Sequence, residues 1–212
     1  MRAIFLDRDG VICENRSDHV KSWDEFHFVP RALYGLAQLS ATGFASIVIT
    51  NQAIINRGMA PASTINDIHA RMLAEVRRAG GRIDRVMTCP HRPDENCACR
   101  KPKPGMLYQA AAEMSIDLSR SYVIGDATTD MQAGLAAGCT CVMVLTGRGM
   151  KQSAVAMSRT EVNFRFARDL QHAVEMILYL EAFGSGYKVP FGLARPSFTR
   201  PLTISALPSS TL

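Results

Sequence analysis

Two carboxylates one residue apart, Asp7 and Asp9, directly follow the apolar run Ala3–Leu6 and precede Gly10. Acids are costly to bury unless they bind something, so the pair marks a site at the end of a strand. A D-x-D pair can hold a divalent cation, supply a nucleophile with a proton donor beside it, or merely cap a turn. Three further stretches carry chemistry of the same kind: Thr50, Asn51 and Gln52 after the apolar "SIVI", "RKPKPG" with Lys101 and Lys103, and "GDATTD" with Asp126 and Asp130. A second set, Cys89, His91, Cys97 and Cys99, has the spacing C-x-H-x5-C-x-C. Three thiolates and one imidazole complete a tetrahedral Zn²⁺ and leave no position for a reacting water, which predicts a structural zinc. The alternative is an unligated, reducible thiol cluster.

These groups must be carried by a scaffold. The runs "RAIFL", "FASIVIT", "RVMTC", "YVIGD" and "CVMVL" are short and rich in β-branched residues, as buried strands are. Helical segments are expected between most of them, at Pro30–Ser40, Pro61–Arg78, Pro104–Met114 and Thr128–Ala137, the first three with a proline where a missing N–H costs nothing. The alternation implies an α/β fold: a doubly wound, mostly parallel sheet with helices on both faces. Ligands gather at the carboxyl ends of such strands, which draws Asp7, Asp9, Thr50, Asn51 and Asp126 to one edge. Residues 14–29, mixed polar and aromatic without a clean period, predict a small flap rather than a cap domain. A last helix is expected over Phe166–Phe183. One catalytic domain, 1–183 with the zinc loop 89–99 inside it, thus precedes a Pro/Ser-rich tail, 184–212, whose composition predicts loose packing.

Composition excludes several classes. With 212 residues, 47% of them hydrophobic, the chain can bury one full core, and no apolar run approaches the length of a membrane span or a signal-peptide core. A soluble, cytoplasmic enzyme acting as a monomer is expected. Net charge is +5, but without a Lys/Arg block or interleaved aromatics, so no nucleic-acid partner is inferred. Arg8, Arg57, Arg100, Lys101 and Lys103 lie in or beside the motifs instead, a placement that suits a small phosphorylated substrate. Cys13, Cys139 and Cys141 read as ordinary small, partly buried side chains.

D-R-D-G after a first strand, T-N-Q after a second, R-K-P-K-P-G before a helix and G-D-x-x-x-D after another strand together resemble the haloacid dehalogenase superfamily of phosphotransferases, over about Met1 to Gly149. The resemblance implies that Asp7 is the nucleophile attacking phosphorus, and that Asp9 protonates the leaving oxygen and then activates water. It also implies that Asp126 holds Mg²⁺ with Asp7 and the backbone carbonyl of Asp9. By the same resemblance Lys101, rather than Lys103, and the Thr50 hydroxyl steady the phosphoryl group. Asp130 is expected to support the metal site or cap the following helix.

The cysteine-rich loop running into "CRKPKPGM", with "DRDGVI" and "TNQ", is similar to the heptose bisphosphate phosphatases and the histidinol phosphatases within that superfamily. This implies removal of the C7 phosphate of a heptose 1,7-bisphosphate through an aspartyl-phosphate, with histidinol phosphate as the alternative substrate and a non-catalytic, zinc-stabilised binding protein as the reading from a different class. Asn51, Gln52, Arg57 and Arg100 are the candidate substrate-binding residues. One departure touches the substrate: the resemblance implies a lysine directly after the last G-D, and this chain has Ala127 there.

Overall fold

The computed structural model describes residues 1–157 and 163–184. All but the first residue of the predicted tail lies outside the described residues. Six strands form one wholly parallel sheet: β1 (Arg2–Leu6), β2 (Phe44–Asn51), β3 (Arg85–Cys89), β4 (Tyr122–Gly125), β5 (Thr140–Val144) and β6 (Arg165–Ala167), in the spatial order β3-β2-β1-β4-β5-β6. Helices α1 (Ala32–Ser40), α2 (Ala62–Arg78), α3 (Gly105–Met114), α4 (Thr128–Ala136), α5 (Gly149–Met157) and α6 (Leu170–Phe183) connect or follow them.

Strand periodicity builds two cores. On β1, Ile4 and Leu6 point to one face, where α1, α2 and α6 bring Leu36, Ile65, Ile68 and Ile177. Ala3 and Phe5 point to the other, where α3 and α4 bring Met106, Leu107, Ala110 and Met131. A strand buried on both sides has no polar alternation, which is why "RAIFL" reads as a continuous apolar run. The strand order reverses direction between β1 and β4, and the carboxyl ends of these two central strands are where a fold of this kind gathers its ligands.

The structure differs from the sequence reading at its C-terminal end. The expected helix from Phe166 is a three-residue edge strand, β6, followed by α6 from Leu170. Three residues are too few to display a period of two, and the helix start is set by Asp169, whose carboxylate accepts from the His172 amide at 2.8 Å. Helix α5 was not expected at all; it begins at the second glycine of "TGRG", a weak helix signal. Residues 14–29 form a flap as expected, anchored by two backbone bonds, Glu14 N–H to His27 O at 2.8 Å and Val29 N–H to Ile12 O at 3.0 Å. Its Val20, Phe26 and Val29 are buried in the first core. No helix of the described residues is long and apolar enough to cross a membrane.

Candidate active site

Asp7 is the first residue beyond β1 and Asp126 the first beyond β4. Their carboxylates and that of Asp130, on the first turn of α4, come within 4.8 Å of one another, and all three side chains are buried. Lys101 enters from the loop before α3. Its ammonium pairs with Asp7 Oδ1 at 2.9 Å and Asp130 Oδ1 at 2.7 Å, and donates to the Ile49 carbonyl at 2.8 Å. Lys103 instead points outward to the Asn96 carbonyl and side chain. Of the two lysines in "RKPKP", Lys101 is the one brought to the carboxylates.

Burial pushes the Asp7 carboxyl up to about 6; Lys101 opposes this, and Asp130 and Asp9 add to it. Asp126 is raised for the same first reason and by Asp7, although Arg148 pulls it back. A buried cluster whose carboxylates resist ionising together is short of positive charge, which is what a divalent cation supplies. The shape agrees: a Cβ on Gly10, where φ is +89°, would stand 2.1 Å from Asp126 Oδ2, so the glycine keeps the backbone pressed against the carboxylate. Asp7 and Asp126 therefore fit a divalent-cation site. Asp130 has both oxygens engaged, one by Lys101 and the other by the Ala127 amide at 3.0 Å, so it caps α4 and holds the lysine.

The Asp9 carboxylate is bonded by a different set of side chains. Arg8, fully buried, grips it through Nε and Nη2, with Nη2 2.9 Å from each carboxylate oxygen. Gln52 Nε2 donates to Asp9 Oδ2 at 2.9 Å and to Thr50 Oγ1 at 2.8 Å, and Cys13 Sγ lies 3.4 Å from Asp9 Oδ1. Burial works against the Asp9 carboxylate, but the Arg8 guanidinium outweighs it and holds the carboxyl below its ordinary range.

The candidate substrate-binding residues are placed less uniformly. Gln52 is buried and spans Thr50 and Asp9. Asn51 braces the Lys101 loop by exchanging two bonds with the Lys101 backbone, at 3.1 and 3.2 Å. Arg100, one residue before Lys101, donates to the His91 carbonyl at 3.0 Å and so joins the two motifs. Arg57 is exposed and reaches His19 of the flap.

Sequence reasoning missed Arg148 and undervalued Arg8 and Cys13. The Arg148 amide donates to Asp126 Oδ2 at 2.7 Å and its guanidinium reaches Oδ1 at 3.2 Å, while its side chain stays 48% exposed. The signal was the "TGRG" turn after β5: Gly147, with φ +58°, is packed so that a Cβ would meet both Asp126 and Gly10 at 2.4 Å. Cys13 is buried but touches the acid, whereas Cys139 and Cys141 do only fill the second core.

The second cluster is compact. Cys99 Sγ lies 3.2 Å from Cys89 Sγ, 3.4 Å from Cys97 Sγ and 3.3 Å from His91 Nδ1, and Cys89 Sγ is 3.6 Å from both Cys97 Sγ and His91 Nδ1. An ion with bonds of about 2.3 Å to sulfur needs sulfur–sulfur edges close to these. Burial pushes Cys89 up to about 12, while Cys97, against burial, is drawn down to about 7 by bonds from Cys99 and the Arg100 amide. The cluster can hold a zinc ion.

A HAD-hydrolase-like family model matches residues 98–173. A D-glycero-beta-D-manno-heptose-1,7-bisphosphate 7-phosphatase of Pseudomonas putida is 40% identical over 164 residues, 77% of this chain and 94% of the relative. The chain belongs to this phosphatase family. The same enzyme of Bordetella bronchiseptica is 37% identical over 178 residues, covering 84% of this chain and 98% of the relative. A crystal structure of D,D-heptose 1,7-bisphosphate phosphatase from B. bronchiseptica, complexed with magnesium and phosphate, superposes with a TM-score of 0.80 at 37% identity, covering 84% and 99% of the two chains. That from Burkholderia thailandensis gives 0.66 at 32% identity, covering 84% and 99%. Magnesium in that first structure agrees with the cation the carboxylate cluster requires.

Proposed function

We propose that this phosphatase removes the C7 phosphate of D-glycero-β-D-manno-heptose 1,7-bisphosphate, with Asp7 as nucleophile. The observation that carries the reading is Asp7 itself: a buried carboxylate held 2.9 Å from the Lys101 ammonium, at the open end of β1, in a cluster fit for a divalent cation. Mg²⁺, held by Asp7, Asp126 and the Asp9 carbonyl, would neutralise charge on the phosphoryl oxygens.

Lys101, with Asp7 and Asp130 as its partners, offsets the repulsion between nucleophile and phosphate. Asp7 attacks phosphorus, so that an Asp7 O–P bond forms and the ester O–P bond breaks. Asp9 gives the departing oxygen its proton, then takes one back from the water that attacks the aspartyl-phosphate. Arg8 keeps Asp9 anionic at rest, which suits the second step. For the first, an arriving dianionic phosphate raises the proton affinity of the carboxylate beside it. The Thr50 hydroxyl, steadied by Gln52, is left to donate toward the phosphoryl group.

The second phosphate needs cations away from the reacting centre. Ala127 offers none, and we assign this role to Arg100, fixed beside Lys101 by its bond to His91, with Arg57 on the exposed rim. Such a rim repels the cation of histidinol phosphate. The test is a comparison of kcat/KM for the two substrates on the purified monomer we expect: heptose 1,7-bisphosphate should win by at least about tenfold, and Arg100→Ala should shrink the margin. Equal or reversed preference would move the assignment to histidinol phosphate or another ester.

A further inference from the structure

Arg8 is among the largest fully buried side chains, and a buried guanidinium must find acceptors for a rigid fork of donors. Two of its nitrogens, Nε and Nη2, are used by Asp9. The third, Nη1, lies 3.1 Å from His69 Nε2, and Asp9 and His69 are the side-chain partners that the described residues give Arg8. His69 sits on α2, in the turn between Ile68 and Met72, and the buried face Ile65, Ile68, Met72 and Val76 locks that helix to the sheet. An arginine donates only, so Nε2 must be the accepting nitrogen and the ring must be neutral. Burial, then the Arg8 charge, pull the His69 pKa down to about 4, in agreement.

We propose that His69 is a positioning residue for Asp9, acting through Arg8: an imidazole fixed on a packed helix sets the guanidinium plane, and that plane sets the carboxylate. The inference rests on the phosphatase reading above, in which Asp9 moves protons. Without an acceptor at position 69, Nη1 is left buried and unpaired, and the fork turns to satisfy it. Asp9 then loses its register toward the leaving oxygen, while Asp7, Lys101 and Asp126 keep theirs.

This separates the role from a merely structural one. A sugar phosphate expels a poor, strongly basic alkoxide that depends on the proton from Asp9, whereas p-nitrophenyl phosphate expels a stabilised phenolate that does not. His69→Leu should therefore lower kcat/KM for a hexose or heptose phosphate on the order of 10- to 100-fold but that for p-nitrophenyl phosphate by less than about threefold. KM for Mg²⁺ should not change. His69→Gln, whose side-chain amide oxygen reaches the place of Nε2, should recover most of the loss, and the shorter His69→Asn should not; this pair serves also if the leucine variant fails to fold. Equal losses on both esters, no loss on either, or equal behaviour of the glutamine and asparagine variants would overturn the proposal. A wild type that cleaves neither ester would overturn the phosphatase reading beneath it.

Discussion

Two ligand clusters lie at the same end of the sheet, yet they are held in opposite ways. The carboxylate cluster is assembled by the core: Asp7 and Asp126 follow adjacent central strands, each buried on both faces, and Lys101 and Arg148 already offset part of its charge. The cysteine cluster is assembled by its own ligands. Only Cys89 belongs to a strand, an edge one, and Cys97 and Cys99 follow a loop with a single short turn at Pro93–Glu95. The first site is held by strands and ion pairs of the core; the second gathers four candidate ligands on a loop. The comparison teaches that a cation is a reagent in one place and a piece of the fold in the other.

The comparison breaks most severely if a charge is removed from the side held by the core. Asp9→Asn should leave the Arg8 cation buried without its partner and cost roughly 3–5 kcal/mol of stability, beyond its effect on turnover. Thermal unfolding reads this directly, and a companion Arg8→Met change should restore most of the loss. A fully stable Asp9→Asn protein would show that Arg8 is not held as described.

Stripping each metal separately sharpens the contrast. A chelator that takes zinc should release about one ion per chain and lower Tm by several degrees, with faster amide exchange concentrated in residues 89–103. Removing Mg²⁺ should stop catalysis reversibly and leave that exchange unchanged. Loss of the catalytic fold on Mg²⁺ removal, or no change on zinc removal, would invert the assignment.

A smaller effect concerns pH. The Asp7 carboxyl has its pKa raised by burial from about 3.8 to about 6 in the folded metal-free protein, so the folded state holds its proton more tightly than the unfolded chain. Its contribution to stability is therefore full below the unfolded value and is lost as pH rises through about 6. Added Mg²⁺ should raise Tm more near neutrality, where the carboxylate is already bare, than at about pH 5, where the ion must displace a proton. The smallest effect expected is that of Arg57→Ala, whose exposed contact with His19 should be worth no more than about 0.5 kcal/mol in stability.

Much of this was legible because the core dictates it. Buried strands must be apolar runs, so an acid after such a run is conspicuous, and "RAIFLDRD", "SIVITN" and "YVIGD" each gave away a strand and its carboxyl end. The loop cluster was legible for a different reason: three cysteines and a histidine within eleven residues have the spacing of zinc ligands. What escaped was whatever lacks a pattern of its own. Arg8 is the unremarkable middle of D-R-D, and its burial is set by a histidine sixty-one positions away on α2. Arg148 acts through backbone and side chain on Asp126 from a turn whose only mark is two glycines. The internal bonds of Gln52 and Asn51 also had no sequence signal: their amides hold Thr50, Asp9 and the Lys101 loop.

The central claim is that Asp7 becomes phosphorylated. Rapid acid quench of the enzyme turning over a phosphorylated sugar with Mg²⁺, followed by borohydride reduction and peptide mass spectrometry, converts an acyl phosphate to homoserine at the residue that carried it. The account predicts homoserine at position 7 in the wild-type chain and none in Asp7→Asn, which should remain folded yet inactive. Homoserine at another position, or normal turnover by Asp7→Asn, would contradict it.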